Sequence, residues 1–76
     1  KHYAPQKGVY TYERYLGEKS VMVFMNGTSK NVTIELNRYA ESLKGKSVGF
    51  DILTERQLKL NTTLELTPKQ IYIIEL

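Results

Sequence analysis

Acid–base catalysis, metal binding and nucleophilic attack each need particular side chains in company, and this chain is poor in them. It carries one histidine, His2, one aspartate, Asp51, and no cysteine. Disulfides and thiolate metal sites are excluded. Metal sites, Ser–His–Asp triads and Cys–His pairs need more than this. Seven glutamates remain, at Glu13, Glu18, Glu35, Glu41, Glu55, Glu65 and Glu75. Paired carboxylates can do general acid–base work, but these lie mostly where an alternating strand would face solvent. The expectation is a chain with no catalytic residue, no metal site and no cofactor.

The short motifs are weak. Asn26-Gly27-Thr28, Asn31-Val32-Thr33 and Asn61-Thr62-Thr63 match the N-glycosylation sequon, but turn chemistry followed by strand threonines explains them better. Lys44-Gly45-Lys46 lacks the spacing of a phosphate loop and reads as a solvated helix end. His2 has no partner near it in sequence and reads as a surface histidine. Tyr10, Tyr12 and Arg14 make one stripe of rings and charge, as a nucleic-acid-binding barrel would need.

These residues sit in a chain of 76 residues, long enough for one small domain. Area scaling leaves roughly 4,800 Å² exposed after folding. Apolar residues make up 41% and charged residues 25%, an ordinary globular composition. The net charge of +3 is spread among acidic neighbours, a solvated surface and not a nucleic-acid stripe. The longest apolar run, Val21 to Met25, is too short to cross a membrane. The chain starts without methionine and has no signal-peptide pattern, so it reads as a fragment of something longer.

Strand signals dominate. Val9–Leu16 and Lys19–Met25 flank Gly17-Glu18, the spacing of a tight hairpin. Asn26-Gly27 is a turn signal of the same kind. Residues 31–36, 47–53, 58–60, 64–66 and 69–76 alternate or are rich in β-formers. Asn37 to Lys44 breaks the rhythm: Asn37 can cap a helix, Tyr39 and Leu43 share a face, and Gly45 suits a left-handed end. The expected fold is all-β, a small antiparallel Greek-key sandwich of about seven strands with one short helical turn near residues 37–44.

Two strands break the half-buried rule. Val21 to Met25 and Ile71 to Ile74 are apolar on both faces, and a single core covers one of them. The other face must meet something outside the sandwich. Tyrosine suits such a boundary: Tyr10 and Tyr12 share one face of the neighbouring strand, and Tyr15 lies on the other. The candidate interface set is Tyr10, Tyr12, Tyr15, Met22, Phe24, Tyr72 and Ile74.

The order of the pieces carries a resemblance. Ala4-Pro5, then Gly8 to Tyr15, then Val21 to Asn26, resemble the C-terminal β-domain of the α-amylase family of glycoside hydrolases. Leu36 to Glu41 with Leu43, Gly49 to Thr54, and the closing Ile73-Ile74-Glu75-Leu76 resemble its cyclomaltodextrinase and neopullulanase branch. The resemblance covers the whole chain, 1–76, as one accessory domain. It implies a sandwich that follows a catalytic (β/α)₈ barrel, packs on it and stabilises it. The family's catalytic carboxylates match no position here. The expected partner is the barrel of the parent enzyme, which would cleave maltodextrins, cyclodextrins or pullulan. No nucleic acid and no membrane are expected, and the isolated chain should self-associate. A bacterial setting, soluble in periplasm or cytoplasm, goes with this reading. The alternatives are a carbohydrate-binding module using Tyr10, Tyr12 or Tyr15, and a nucleic-acid-binding barrel.

Overall fold

The computed structural model describes residues 1–76, the side chain of Leu16 excepted. Eight strands form in chain order: β1 His2–Gln6, β2 Val9–Leu16, β3 Lys19–Asn26, β4 Val32–Glu35, β5 Val48–Asp51, β6 Arg56–Lys59, β7 Thr63–Leu66 and β8 Ile71–Glu75. A 3₁₀ turn, Asn37–Tyr39, runs into a one-turn helix α1, Ala40–Leu43. The strands make an antiparallel sandwich of a six-stranded sheet, ordered β1-β2-β3-β8-β5-β6, and a two-stranded sheet, β4-β7. The exposed area is 4982 Å², close to the scaling expectation.

Turn chemistry sets the first three strands. Lys7 and Gly8 both adopt positive φ, at 50° and 82°, as a two-residue I′ hairpin demands. Gly17, at φ 66°, turns β2 into β3 and fixes Leu16 opposite Lys19. β1 was not among the expected strands, and its Pro5 cannot donate to a ladder. It forms because it lies at the sheet edge and its register shifts between Tyr3 and Gln6, the two places where a strand tolerates proline.

Asn26 does not turn a hairpin, contrary to the expectation. It ends β3 and pins the crossing to the other sheet. Its Nδ2 donates to the carbonyls of Lys30 at 2.8 Å, Thr67 at 2.9 Å and Leu66 at 3.3 Å. Its Oδ1 accepts from the Thr28 N–H at 2.9 Å and the Thr28 hydroxyl at 2.7 Å. Each bond satisfies a polar group that the crossing would otherwise bury unpaired.

The helical segment falls at residues 37–44 as expected, but Asn37 makes no capping bond, and Leu36 precedes the first turn. Lys44 takes the left-handed position at the end of α1, at φ 53°, with Gly45 behind it at 74°. The segment closes the core: Leu36, Tyr39 and Leu43 join Ile34, Leu64 and Leu66 against Val9, Met22, Phe24 and Ile74 of the large sheet. Tyr39 meets Phe24 and Tyr3 edge to face, at centroid distances of 5.4 and 4.9 Å. On β5, Gly49 lets Ile74 and Leu60 close over the strand; a Cβ there would overlap the Ile74 methyl.

Candidate docking face

Pairing register decides which side each residue takes. β2 and β3 place Tyr10 opposite Met25, Tyr12 opposite Val23, and Arg14 opposite Val21. β3 and β8 place Met25 opposite Ile71, Val23 opposite Ile73, and Val21 opposite Glu75. β8 and β5 place Glu75 opposite Phe50. Side chains directly opposite share a sheet face, so these residues form three adjacent rows on the outer face of the large sheet. Ile52, whose N–H donates to the Ile73 carbonyl at 2.8 Å, extends the middle row. Val48 begins a fourth row beside Phe50.

The outer face is therefore apolar from β2 to β5. Tyr10 is 54% exposed, Val48 48%, Ile52 43%, Phe50 41%, Ile71 40% and Met25 38%. Val21 and Val23 lie at its centre, nearly covered by their neighbours. Polar groups stand at the margin: His2 against Tyr12 at 5.5 Å between ring centroids, Arg14, and Lys19 paired with Glu75 at 3.6 Å. Scattered apolar side chains on a surface are ordinary, but here they adjoin one another on one sheet, which makes this face the candidate interaction surface.

The candidate residues divide. Tyr10 and Tyr12 stand on the outer face. Met22, Phe24 and Ile74 do not: all are fully buried in the sandwich core, because they pair across from Glu13, Thr11 and Asp51 on the inner side. Tyr72 is also on the inner side, half-buried, with its hydroxyl donating to the Glu65 carbonyl at 3.2 Å. Tyr15 shares the inner parity but lies beyond the core, 61% exposed, with the Lys44 ammonium 5.4 Å from its ring. The outer residues missed were Val21, Val23, Met25, Val48, Phe50, Ile52, Ile71 and Ile73. For Val21, Val23 and Met25 the Gly17-Glu18 turn contained part of the signal, since a two-residue loop sets which residues of β3 share a face with Tyr10 and Tyr12.

Two acids also depart from expectation. Glu13 and Asp51 face inward, 3% and 0% exposed. Asp51 accepts from the Thr54 hydroxyl at 2.7 Å and the Ile73 N–H at 3.2 Å. Both are hydrogen-bonded within the domain, and among the described residues no three His, Asp or Glu side chains gather as a metal-binding group.

Comparison with known proteins agrees with this architecture. A solved structure of an AmyP variant in complex with maltotriose superposes at a TM-score of 0.80 and 15% identity. The match covers 99% of this chain and 15% of that one. Residues 1–75 match the family described as the cyclo-malto-dextrinase C-terminal domain. An all-β sandwich with its segments in this order, matched to that family nearly end to end, belongs to the cyclo-malto-dextrinase C-terminal domain family.

Proposed function

We propose that this chain is a non-catalytic accessory domain of a maltodextrin-degrading glycoside hydrolase, and that the outer face of its large sheet packs on the parent's catalytic barrel. The single observation that carries the reading is the continuous apolar outer face, Tyr10, Tyr12, Val21, Val23, Met25, Ile71, Ile73 and Phe50. Family membership supplies the kind of parent, and the small share of the AmyP chain that is matched leaves ample protein to cover such a face. Within one chain, contacts of this kind bury roughly 600–1,500 Å². Covering the face removes apolar surface from water and so stabilises both partners. The three tyrosines do not form one sugar-stacking strip, since Tyr15 lies on the opposite side of the sheet from Tyr10 and Tyr12.

The test uses an enzyme that carries this domain. Met25→Glu with Ile71→Lys, opposite charges on a directly opposed pair, should leave the isolated domain folded and lower the thermal midpoint of the whole enzyme. An unchanged midpoint, together with unchanged protease resistance at the domain junction, would overturn the docking reading. Turnover of cyclodextrin, pullulan or starch by the isolated domain would overturn the non-catalytic one.

A further inference from the structure

Glu13 is a buried acid that the docking reading leaves without a role. Ser20 Oγ of β3 donates to its Oε2 at 2.6 Å, and Ser42 Oγ of α1 donates to its Oε1 at 2.8 Å. Ser42 has a single hydroxyl proton and gives it to Glu13. The Tyr3 hydroxyl of β1, 2.5 Å from Ser42 Oγ, must therefore be the donor in that pair. An ionised carboxylate only accepts, so both hydroxyl chains end on it. A protonated Glu13 would bring its own O–H against hydroxyls that already point theirs inward.

We propose that ionised Glu13 is an acid-sensitive clasp tying α1 and the edge strand β1 to β2 and β3, and that protonating it frees those two elements before the centre of the sheet opens. The groups around it fit that role. The charges of Lys44 at the end of α1 and Lys1 before β1 act on Glu13, and the α-ammonium of Lys1 donates to the Glu13 carbonyl at 2.9 Å. Lys1 also pairs with Glu41 at 2.8 Å. From β3, Ser20 donates to the carboxylate and Met22 lies opposite it, while Lys19 pairs with Glu75 on the outer face. From β2 itself, Tyr15 stacks under Lys44. Glu41, paired with Lys1, is the other carboxylate beside this cluster. Burial alone would raise the Glu13 pKa. The bonds from Ser20 and Ser42, then the charges of Lys44 and Lys1, outweigh burial and hold it below the ordinary carboxylate value. A pKa lower in the folded state means the stabilisation is complete above the unfolded value. It is lost as pH falls through the folded value, which lies below the ordinary glutamate value.

The experiment is acid titration of this 76-residue chain followed by thermal melting and residue-resolved hydrogen exchange. Wild type should lose protection first at the amides of Lys44, Lys46 and Glu13, which bond to Ala40, Leu43 and Lys1, while those of β3 and β8 stay protected. Glu13→Gln should melt about 10 °C lower at neutral pH, and its midpoint should change less with pH than that of wild type, so the two converge in acid. Glu41→Gln should keep the wild-type profile. Ser42→Ala, which keeps the charge but removes one donor, should move the acid transition to higher pH and covers the case in which Glu13→Gln does not fold. Parallel pH profiles for wild type and Glu13→Gln would overturn the proposal. So would simultaneous loss of protection in α1 and β3, or an acid transition unmoved by Ser42→Ala.

Discussion

The two sheets of this sandwich present opposite chemistry to their surroundings. The small sheet turns Thr33, Glu35, Thr63 and Glu65 outward, all exposed, and keeps Ile34, Leu64 and Leu66 inside. Its strands alternate as a half-wet antiparallel sheet should. The large sheet turns tyrosine, valine, methionine, isoleucine and phenylalanine outward on the same kind of strand. Both sheets share one core, so the core cannot be the cause of the difference. What differs is the outer face itself: the small sheet's is polar and the large sheet's is apolar, and the proposed docking of the large sheet accounts for that difference.

The largest test of that assignment compares neighbours on β3. Phe24→Ala should destabilise the isolated chain by roughly 3–5 kcal/mol, as large aromatic truncations in cores do. Met25→Ala, one residue on but facing outward, should cost under about 1 kcal/mol. Equal effects in a denaturant titration would break the distinction between the two faces. Asn26→Leu comes next. It removes the amide that ties β3 to the carbonyls near β4 and β7, and leaving such groups unpaired should cost about 1–3 kcal/mol. A melting midpoint equal to wild type would show that the crossing is held by packing alone.

Charge on the outer face sharpens the comparison further. Met25→Glu with Ile71→Lys, opposite charges on a directly opposed pair, should shift the isolated chain little, within about 0.5 kcal/mol, yet reduce its self-association in sedimentation at high concentration. Charges added to the small sheet, Thr33→Lys with Thr63→Lys opposite Glu65 and Glu35, should change neither. The smallest effect is expected for Glu65→Gln, which removes one exposed charge from the wet face and should stay within about 0.5 kcal/mol. A larger loss for Glu65→Gln than for the outer-face pair would invert the contrast.

Much of this was legible in the chain. The β2–β3 hairpin was marked by Gly17-Glu18, β4 by its alternation, and the helical segment by the break at Asn37 with Tyr39 and Leu43 on one side. β1 was hidden because Pro5 argues against a strand, and only its place at the sheet edge admits it. Glu13 and Asp51 were hidden for a different reason. A carboxylate in a strand reads as solvent-facing, and its burial depends on hydroxyls and an N–H that lie elsewhere in sequence: Ser42 for Glu13 and Ile73 for Asp51.

By itself the sequence determined that the domain is a β-sandwich, where most strands run, and which residues of β2 and β3 share a face, because alternation and a two-residue turn are local properties. Which of those faces points inward was decided only by the tertiary structure. In β3, Met22 and Phe24 are as apolar as Val21, Val23 and Met25, so hydrophobicity alone does not separate them. The choice falls to the segment that covers one face, residues 34–43 with Leu64 and Leu66. Its contact with β2 and β3 is non-local, made after the chain has crossed between sheets, and it leaves Thr11, Glu13, Met22 and Phe24 inside with hydrogen-bond partners where they need them. The opposite face, equally apolar, is left for whatever lies outside the domain.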